Sequence, residues 1–145
     1  MYKKLIKYTD YNGNVREEFF YFNLTKVEVA KWETETAGGM REMLENIIAT
    51  KDKPALIALF DDIIRRSYGE KSQDGKYFVK NKEVLERFVS TEAYSNLFME
   101  LASDDLAASE FVNGILPDDL LKEAEKEKAK EAAGVIDGAN ITSLN

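Results

Sequence analysis

The sequence predicts an α+β fold, mainly α, in which an N-terminal β-hairpin packs on a bundle of about six short helices. Near the N-terminus, Asn12-Gly13 joins two segments of strand-forming residues, and this dipeptide is a strong hairpin-turn signal. From residue 25 onward, apolar residues recur at helical spacing. The chain has 145 residues, of which 44% are hydrophobic, so it can build one core.

The hairpin is predicted from its turn and from its cross-strand chemistry. A two-residue loop would pair Lys7 with Glu18 and set aliphatic side chains opposite aromatic ones. The predicted pairs are Tyr8–Glu17, Lys7–Glu18, Ile6–Phe19 and Leu5–Phe20. The second strand ends in four consecutive aromatic residues, although a ribbon with one face in water should alternate. We therefore expect one face to pack on the helices and the other to meet a further strand, helix or subunit.

Capping signals and apolar spacing predict the next helices. Thr25 and Glu28 fit a capping box, and this first helix should end near Glu35. A third helix should begin around Asp52, with Pro54 in its first turn, and Gly69 could close it in a left-handed conformation. The helix between them is predicted from residues at i, i+3, i+4 spacing, namely Met40, Met43, Leu44, Ile47 and Ile48.

The second half of the chain reads as a turn followed by further helices. Asp74-Gly75 predicts a tight turn or small hairpin. Three helical segments follow, with predicted N-caps at Asn81, Thr91 and Ser103, and Asn113-Gly114 should stop the last one. Pro117 then opens a helix through Leu120, Leu121 and Ala124. We expect one globular domain over residues 1–121, and a charged helical extension with a disordered tail over 122–145.

Composition excludes several classes of function. The chain has no cysteine, so disulfides and thiolate chemistry are excluded. It also has no histidine, which is the commonest general base and the commonest transition-metal ligand. A net charge of −7 argues against nucleic-acid binding, which needs clustered Lys and Arg. No apolar run approaches the ~20 residues of a membrane helix, and the N-terminus does not read as a signal peptide. The expectation is a cytosolic protein that binds neither nucleic acid nor membrane.

Two loop motifs fail the tests for a ligand site. Between Gly69 and Lys76 the spacing is one residue too long for a phosphate loop, and Tyr77 stands where Ser or Thr is needed. A calcium loop starting at Asp10 would require Gly where Val15 stands and Glu where Tyr21 stands. The sequence therefore predicts no cofactor and no metal.

Three aspartate pairs are the remaining candidates for catalysis: Asp61-Asp62, Asp104-Asp105 and Asp118-Asp119. Adjacent carboxylates on a helix point in different directions, so a pair does not form an acid–base dyad by itself. Negative charge in a first helical turn also has a structural role, because it favours the helix dipole. We predict no catalytic residue, and an enzyme is the least favoured class.

Aromatic residues are the best candidates for partner contacts, because interfaces favour them. Core packing is the competing interpretation for each of them. The hairpin aromatics stand out because two apolar faces on one ribbon leave at least one face to be covered. The predicted partner-binding residues are Phe19, Phe20, Tyr21, Phe22 and Trp32.

Four segments in order carry a resemblance to a known family. They are the aromatic run before Asn-Leu-Thr (19–25), Ser-Tyr-Gly leading to Asp-Gly-Lys (67–78), Thr-Glu-Ala-Tyr-Ser with Phe-Met-Glu-Leu (91–101), and Phe-Val-Asn-Gly-Ile-Leu-Pro (111–117). In this order and spacing the chain resembles the tail assembly chaperones of long-tailed bacteriophages of Gram-positive hosts. The resemblance runs from the hairpin to Pro117.

The resemblance implies a non-enzymatic role in virion morphogenesis. Such chaperones bind the long helical tape measure protein and keep it soluble in the host cytoplasm until the tail tube polymerises. They are then released and are absent from the mature virion. A longer product made by ribosomal frameshifting could also contact the tail tube protein, and several copies on one client make self-association plausible. The alternative is a structural head–tail connector or minor tail subunit that stays in the virion.

Overall fold

The computed structural model describes residues 1–40, 42–43 and 52–118. In chain order the elements are β1 (Tyr2–Thr9), β2 (Val15–Phe22), α1 (Lys26–Glu35), α2 (Lys53–Ser67), β3 (Tyr68–Lys71), β4 (Phe78–Val79), α3 (Lys82–Val89), α4 (Glu92–Ser103) and α5 (Asp105–Ile115). The predicted α+β class with mainly helical content is confirmed. Five helices with these bounds lie in the described ranges, slightly fewer than the six expected. The calls on residues 44–48 and on residues from 119 onward lie outside the described residues.

The predicted N-terminal hairpin is one half of a four-stranded antiparallel sheet. Its strand order is β1-β2-β3-β4. β1 and β2 pair along their full length, whereas β3 pairs with β2 only at Tyr21–Gly69 and Phe22–Tyr68. The turn predicted at Asp74-Gly75 closes the second hairpin, β3–β4. β3 therefore pairs with one edge of β2, whereas the second apolar face of the ribbon, which we expected a further strand, helix or subunit to cover, is not covered by this pairing.

The predicted hairpin register is wrong by one residue. Leu5 opposes Phe19 and Lys7 opposes Glu17, because the loop contains three residues rather than two. The Gly13 N–H donates to the Asp10 carbonyl at 3.0 Å, and Gly13 has a φ of +85°. The Asp10 carboxylate also accepts from the N–H groups of Asn12 and Asn14, each at 2.9 Å. These bonds favour a type I turn followed by a left-handed glycine over the two-residue turn.

Most predicted helix starts are confirmed by their caps. Thr25 and Glu28 form the capping box of α1. Asp52 and Asn81 accept from the N–H groups of Ala55 and Val84. Thr91 occupies the N-cap position of α4 without a side-chain capping bond.

The predicted cap at Ser103 is wrong. The Asp104 carboxylate accepts from the Leu106 and Ala107 N–H groups, so Asp104 caps α5. The Ser103 hydroxyl instead donates to the Met99 carbonyl at the end of α4. A carboxylate satisfies two unpaired donors here and complements the helix dipole.

Two glycines serve close packing rather than helix termination. Gly69 was expected to close α2 but lies in β3, where an added Cβ would sit 2.6 Å from the Phe78 ring. Gly114 was expected to stop α5, but it is still helical and the helix ends one residue later, at Ile115. A Cβ at Gly114 would sit 2.4 Å from the Tyr2 ring. Only glycine allows these two approaches without displacement of the ring.

The core lies between the inner face of the sheet and the helices. Helix α4 packs against β1, α2, α3 and α5, so it is the central helix. An aromatic cluster joins the sheet to the helices: the Tyr68 and Phe88 rings stack at 4.1 Å, and Phe22 lies edge-on to Phe88. Burial of these large rings supplies the main stabilisation, since each removes much apolar surface from water.

Lys80 joins three elements. Its ammonium donates to the Asn23 carbonyl at 2.6 Å, to the Arg66 carbonyl at 2.8 Å and to the Glu28 carboxylate at 2.7 Å. Burial lowers the pKa of Lys80, and the bond to Glu28 offsets this only in part. For Glu28, burial acts to raise the pKa, but the bonds from Lys80 and Thr25 outweigh it and the net pKa is lowered. The contact therefore favours the ionised Glu28 carboxylate, whereas burial acts against the charge on Lys80.

Candidate interaction surface

The sheet has an apolar face that no described element covers. Side chains alternate along a strand, so Ile6, Phe20 and Phe22 point toward the core, whereas Leu5 and Phe19 point away from it. Leu5 is 44% exposed and Phe19 is 51% exposed. We call the side that points away from the helices the outer face.

The outer face extends across all four strands. Tyr21 lies opposite Gly69, and Lys71 lies opposite Phe78, so both pairs continue the face from β2 into the second hairpin. The Phe78 ring occupies the space that a side chain at Gly69 would need. The central apolar part of the face consists of Leu5, Phe19, Tyr21 and Phe78, and Val15 adds a further exposed apolar side chain beside the turn.

Lysines surround the apolar side chains. Lys3 and Lys7 lie two residues on either side of Leu5 along β1, and Lys71 lies on β3. The Lys3 ammonium is 4.0 Å from the centroid of the Phe19 ring, and that of Lys71 is 5.7 Å from the Tyr21 ring. These distances are typical of cation–π contacts, and both lysines are exposed residues.

A cleft of about 330 Å³ opens beside the outer face. It lies where β2 and β3 diverge beyond the Tyr21–Gly69 pair, and its walls include Phe19, Phe20 and Lys71. The part of β2 before Tyr21 has β1 on one side and this cleft on the other. Backbone groups on that side are available for pairing with an extended segment.

A larger cleft of about 560 Å³ lies between the hairpin turn and helix α3. Both of its arginines already have partners: Arg16 contacts Asp10 at 2.7 Å, and Arg87 contacts Glu70 at 3.1 Å. Its size exceeds that of the first cleft, but six of its ten lining residues are charged, so it offers no apolar face of the kind that the outer face has. We therefore place the candidate interaction surface on the outer face.

The structure separates the five predicted partner-binding residues. Phe22 is fully buried, Trp32 is only 5% exposed, and the half-buried Phe20 contacts Phe88 at a ring-centroid distance of 5.3 Å. Phe22 and Trp32 belong to the core, and Phe20 packs against its edge. A partner therefore cannot reach Phe22 or Trp32 unless the domain unfolds. Phe19 and Tyr21 lie together on the outer face and remain candidates.

Sequence reasoning missed the other members of this surface. Leu5 was paired with the wrong aromatic residue, and Phe78 was assigned only to a turn region. The alternation Lys3-Leu5-Lys7 could have indicated an exposed strand face with a basic rim. Nothing in the local sequence of Phe78 shows that it reaches the same face, because this depends on the pairing of β3 with β2.

Two buried tyrosines on the inner side of the sheet, Tyr8 and Tyr68, are held neutral. Burial raises the pKa of Tyr68 to about 12. A hydrogen bond to Glu18, followed by burial, raises the pKa of Tyr8. Neither phenol is suited to act as a base near neutral pH, so these groups contribute packing and hydrogen bonding.

Within residues 1–40, 42–43 and 52–118, no cluster of three or more acidic residues is arranged to hold a metal ion. The helices of the same ranges are also too short or too polar to cross a membrane. The distinctive feature of this part of the chain is an apolar sheet face with a basic rim, and exposed apolar patches of this kind are candidate interaction surfaces.

Comparison with known families defines the class of the protein. Residues 1–143 match the family model for phage tail assembly chaperones. The match covers nearly the whole chain, and the chain belongs to the phage tail assembly chaperone family. No curated protein sequence and no solved structure matches it.

Proposed function

We propose that this protein binds the tape measure protein during phage tail assembly and keeps it soluble, without catalysing a reaction. The observation that carries the proposal is the outer face, where Phe19 and Leu5 remain about half exposed on a folded domain. Uncovered apolar surface of this kind is typical of a binding site. A long helical client with an apolar stripe would cover it.

The setting of this function is also proposed. The chaperone acts in the host cytoplasm and is released before the virion matures. Copies associate with one another along one client, so modest affinity per copy is sufficient. A longer frameshift product, where one is made, would add contact with the tail tube protein. A Gram-positive host is inferred from the sequence resemblance alone.

Co-expression with the tape measure protein of the same phage tests the proposal. We expect the tape measure protein to move into the soluble fraction and to co-elute with several copies of the chaperone. Phe19→Asp and Tyr21→Asp should reduce co-elution at least about tenfold, because each places a carboxylate in the apolar contact.

The matched control is Leu106→Asp. Leu106 is an exposed leucine in the first turn of α5, away from the outer face, where a carboxylate is favourable. This variant should retain co-elution, and circular dichroism should show all three variants folded. If the tape measure protein stays insoluble and this chain is found in purified virions, the connector role replaces the chaperone role.

A further inference from the structure

The lysines of the outer face indicate what charge a partner of this face should have. The chain has a net charge of −7, yet Lys3, Lys7 and Lys71 all lie on this face, and Glu17 is its one acidic residue within the strands described. In the described part of the chain, no ion pair joins these three lysines to a carboxylate. The face is therefore locally basic on an acidic protein.

The geometry suits a helix lying across the strands. Strands in a sheet are spaced by about 4.8 Å, so the apolar residues from Leu5 on β1 to Phe78 on β4 span roughly 14 Å. This is about the length of a ten-residue helix. Lys3 and Lys7 flank Leu5 along β1, so they would lie on either side of the apolar stripe of that helix.

We infer that the outer face selects an amphipathic helix whose apolar stripe is flanked by Asp and Glu. This inference rests on the proposed function and specifies the chemistry of the client segment. Carboxylates beside the stripe would pair with Lys3, Lys7 and Lys71, while Phe19 and Tyr21 contact the stripe itself. A long polyanion such as nucleic acid fits less well, because the rest of the chain repels it.

The test uses two designed helical peptides of about 20 residues, with the same leucine stripe. One carries Glu at every flanking position and the other carries Lys. Binding to the full chain is measured by fluorescence anisotropy at about 0.15 M salt, where the Debye length is about 8 Å and nearby charges dominate. We expect the Glu peptide to bind about tenfold more tightly, from three partly exposed ion pairs.

Charge reversal of the face should reverse the preference. A Lys3→Glu, Lys71→Glu double variant should bind the Lys peptide more tightly than the Glu peptide. The control double variant, Lys31→Glu with Lys53→Glu, changes the net charge equally at exposed positions on α1 and α2. It should keep the original preference, because neither residue lies on the outer face.

Three results would overturn the inference. Equal affinity for the two peptides would show that the lysines do not select the partner. Loss of the preference in the control variant would show that net charge, not the face, is responsible. Tighter binding of single-stranded RNA or of vesicles with anionic lipid, competing with the Glu peptide, would assign the face to a different partner. Successful co-solubilisation of the tape measure protein alongside any of these results would leave the proposed function standing.

Discussion

At the residue scale, single side chains decide the local conformation of the hairpin. Asp10 accepts two backbone N–H groups across the turn and also receives the Arg16 guanidinium at 2.7 Å. Together with the positive φ of Gly13, these contacts set a three-residue loop. That loop determines which aromatic residues face the core and which face outward.

The Asp10 contacts make the stability of the hairpin depend on pH. The bond from Arg16, followed by the backbone N–H bonds, lowers the pKa of Asp10 from 3.8 to about 2. A lowered carboxyl pKa stabilises the fold above the unfolded value, and this stabilisation is lost as the pH falls through the folded value.

We therefore expect Asp10→Asn to lower the midpoint of thermal unfolding at pH 6. The difference from the wild type should shrink as the pH falls from about 4 toward 2, because protonation abolishes the same interactions. Circular dichroism melts at several pH values measure this. A difference that stays constant over that range would contradict the proposed role of the carboxylate.

Gly114 gives a second prediction at this scale. In an exposed helix interior, replacing Gly with Ala stabilises by about 1 kcal/mol. Here a Cβ would lie 2.4 Å from the Tyr2 ring, close to the base of that side chain, so the ring and its strand must shift. We expect Gly114→Ala to lower the free energy of unfolding by about 1 to 3 kcal/mol in urea titrations.

Ser109→Ala is the matched control for Gly114→Ala. Ser109 is exposed on the same helix, so its replacement should be neutral or slightly stabilising. A stabilising effect of Gly114→Ala comparable to that control would show that α5 does not approach Tyr2 as closely as the structure indicates.

At the element scale, the ends of β2, α1 and α2 meet at Lys80. A single ammonium donates to two backbone carbonyls, those of Asn23 and Arg66, and to the Glu28 carboxylate, which also accepts from the Thr25 N–H. The residue follows β4 directly, so it also fixes the second hairpin against the helices. The relative position of these elements depends on a contact between residues far apart in sequence.

Lys80→Met should therefore destabilise the domain. The apolar replacement keeps most of the volume but removes the donor of the Asn23 and Arg66 carbonyls and the ion pair with Glu28, at a cost of about 1 to 3 kcal/mol in the free energy of unfolding. Lys82→Met is the control, because Lys82 is highly exposed and its ion pair with Glu86 is long, at 3.8 Å. This variant should change the free energy of unfolding by less than about 0.5 kcal/mol. Equal effects in the two variants would contradict the proposed role of Lys80 in joining these elements.

At the scale of the whole molecule, α4 holds the domain together. It contacts the sheet through β1, and it also packs against α2, α3 and α5. Leu97, at the centre of α4, is 0% exposed. The Asn96 side chain also donates to the Lys7 carbonyl on β1 at 3.1 Å. Loss of packing at this helix should affect all elements at once.

We expect Leu97→Ala to lower the free energy of unfolding by about 2 to 5 kcal/mol, because it opens a cavity at the centre of the core. Met99→Ala is the control on the same helix, since Met99 is 59% exposed. Thermal unfolding followed by near-UV and far-UV circular dichroism should show one transition for both variants. A small effect at Leu97 would indicate that the core can collapse around the change.

The limits of sequence reasoning are clearest in the hairpin and the glycines. Asn12-Gly13 located the turn correctly, but one residue of loop length shifted the partner of Ile6 from Phe19 to Glu18 and that of Leu5 from Phe20 to Phe19. The signal for the longer loop is the Asp10 side chain, whose bonds form only once the turn exists. The local sequence of Gly69 and Gly114 indicated helix ends. It does not show the rings of Phe78 and Tyr2 that require glycine at these positions, because those rings lie on other segments of the chain.

The sequence by itself determined the α+β class, the capping of α1, α2 and α3, and the four ordered segments behind the family resemblance. These follow from interactions within a few residues, such as caps, turns and apolar spacing. Tertiary structure decided the four-stranded sheet, the burial of Phe22 and Trp32, and the gathering of Leu5, Phe19, Tyr21 and Phe78 on one face. The hairpin alone brings Leu5 and Phe19 together, but the face continues into β3 and β4 only through strand pairing across about fifty residues, which the local sequence does not show.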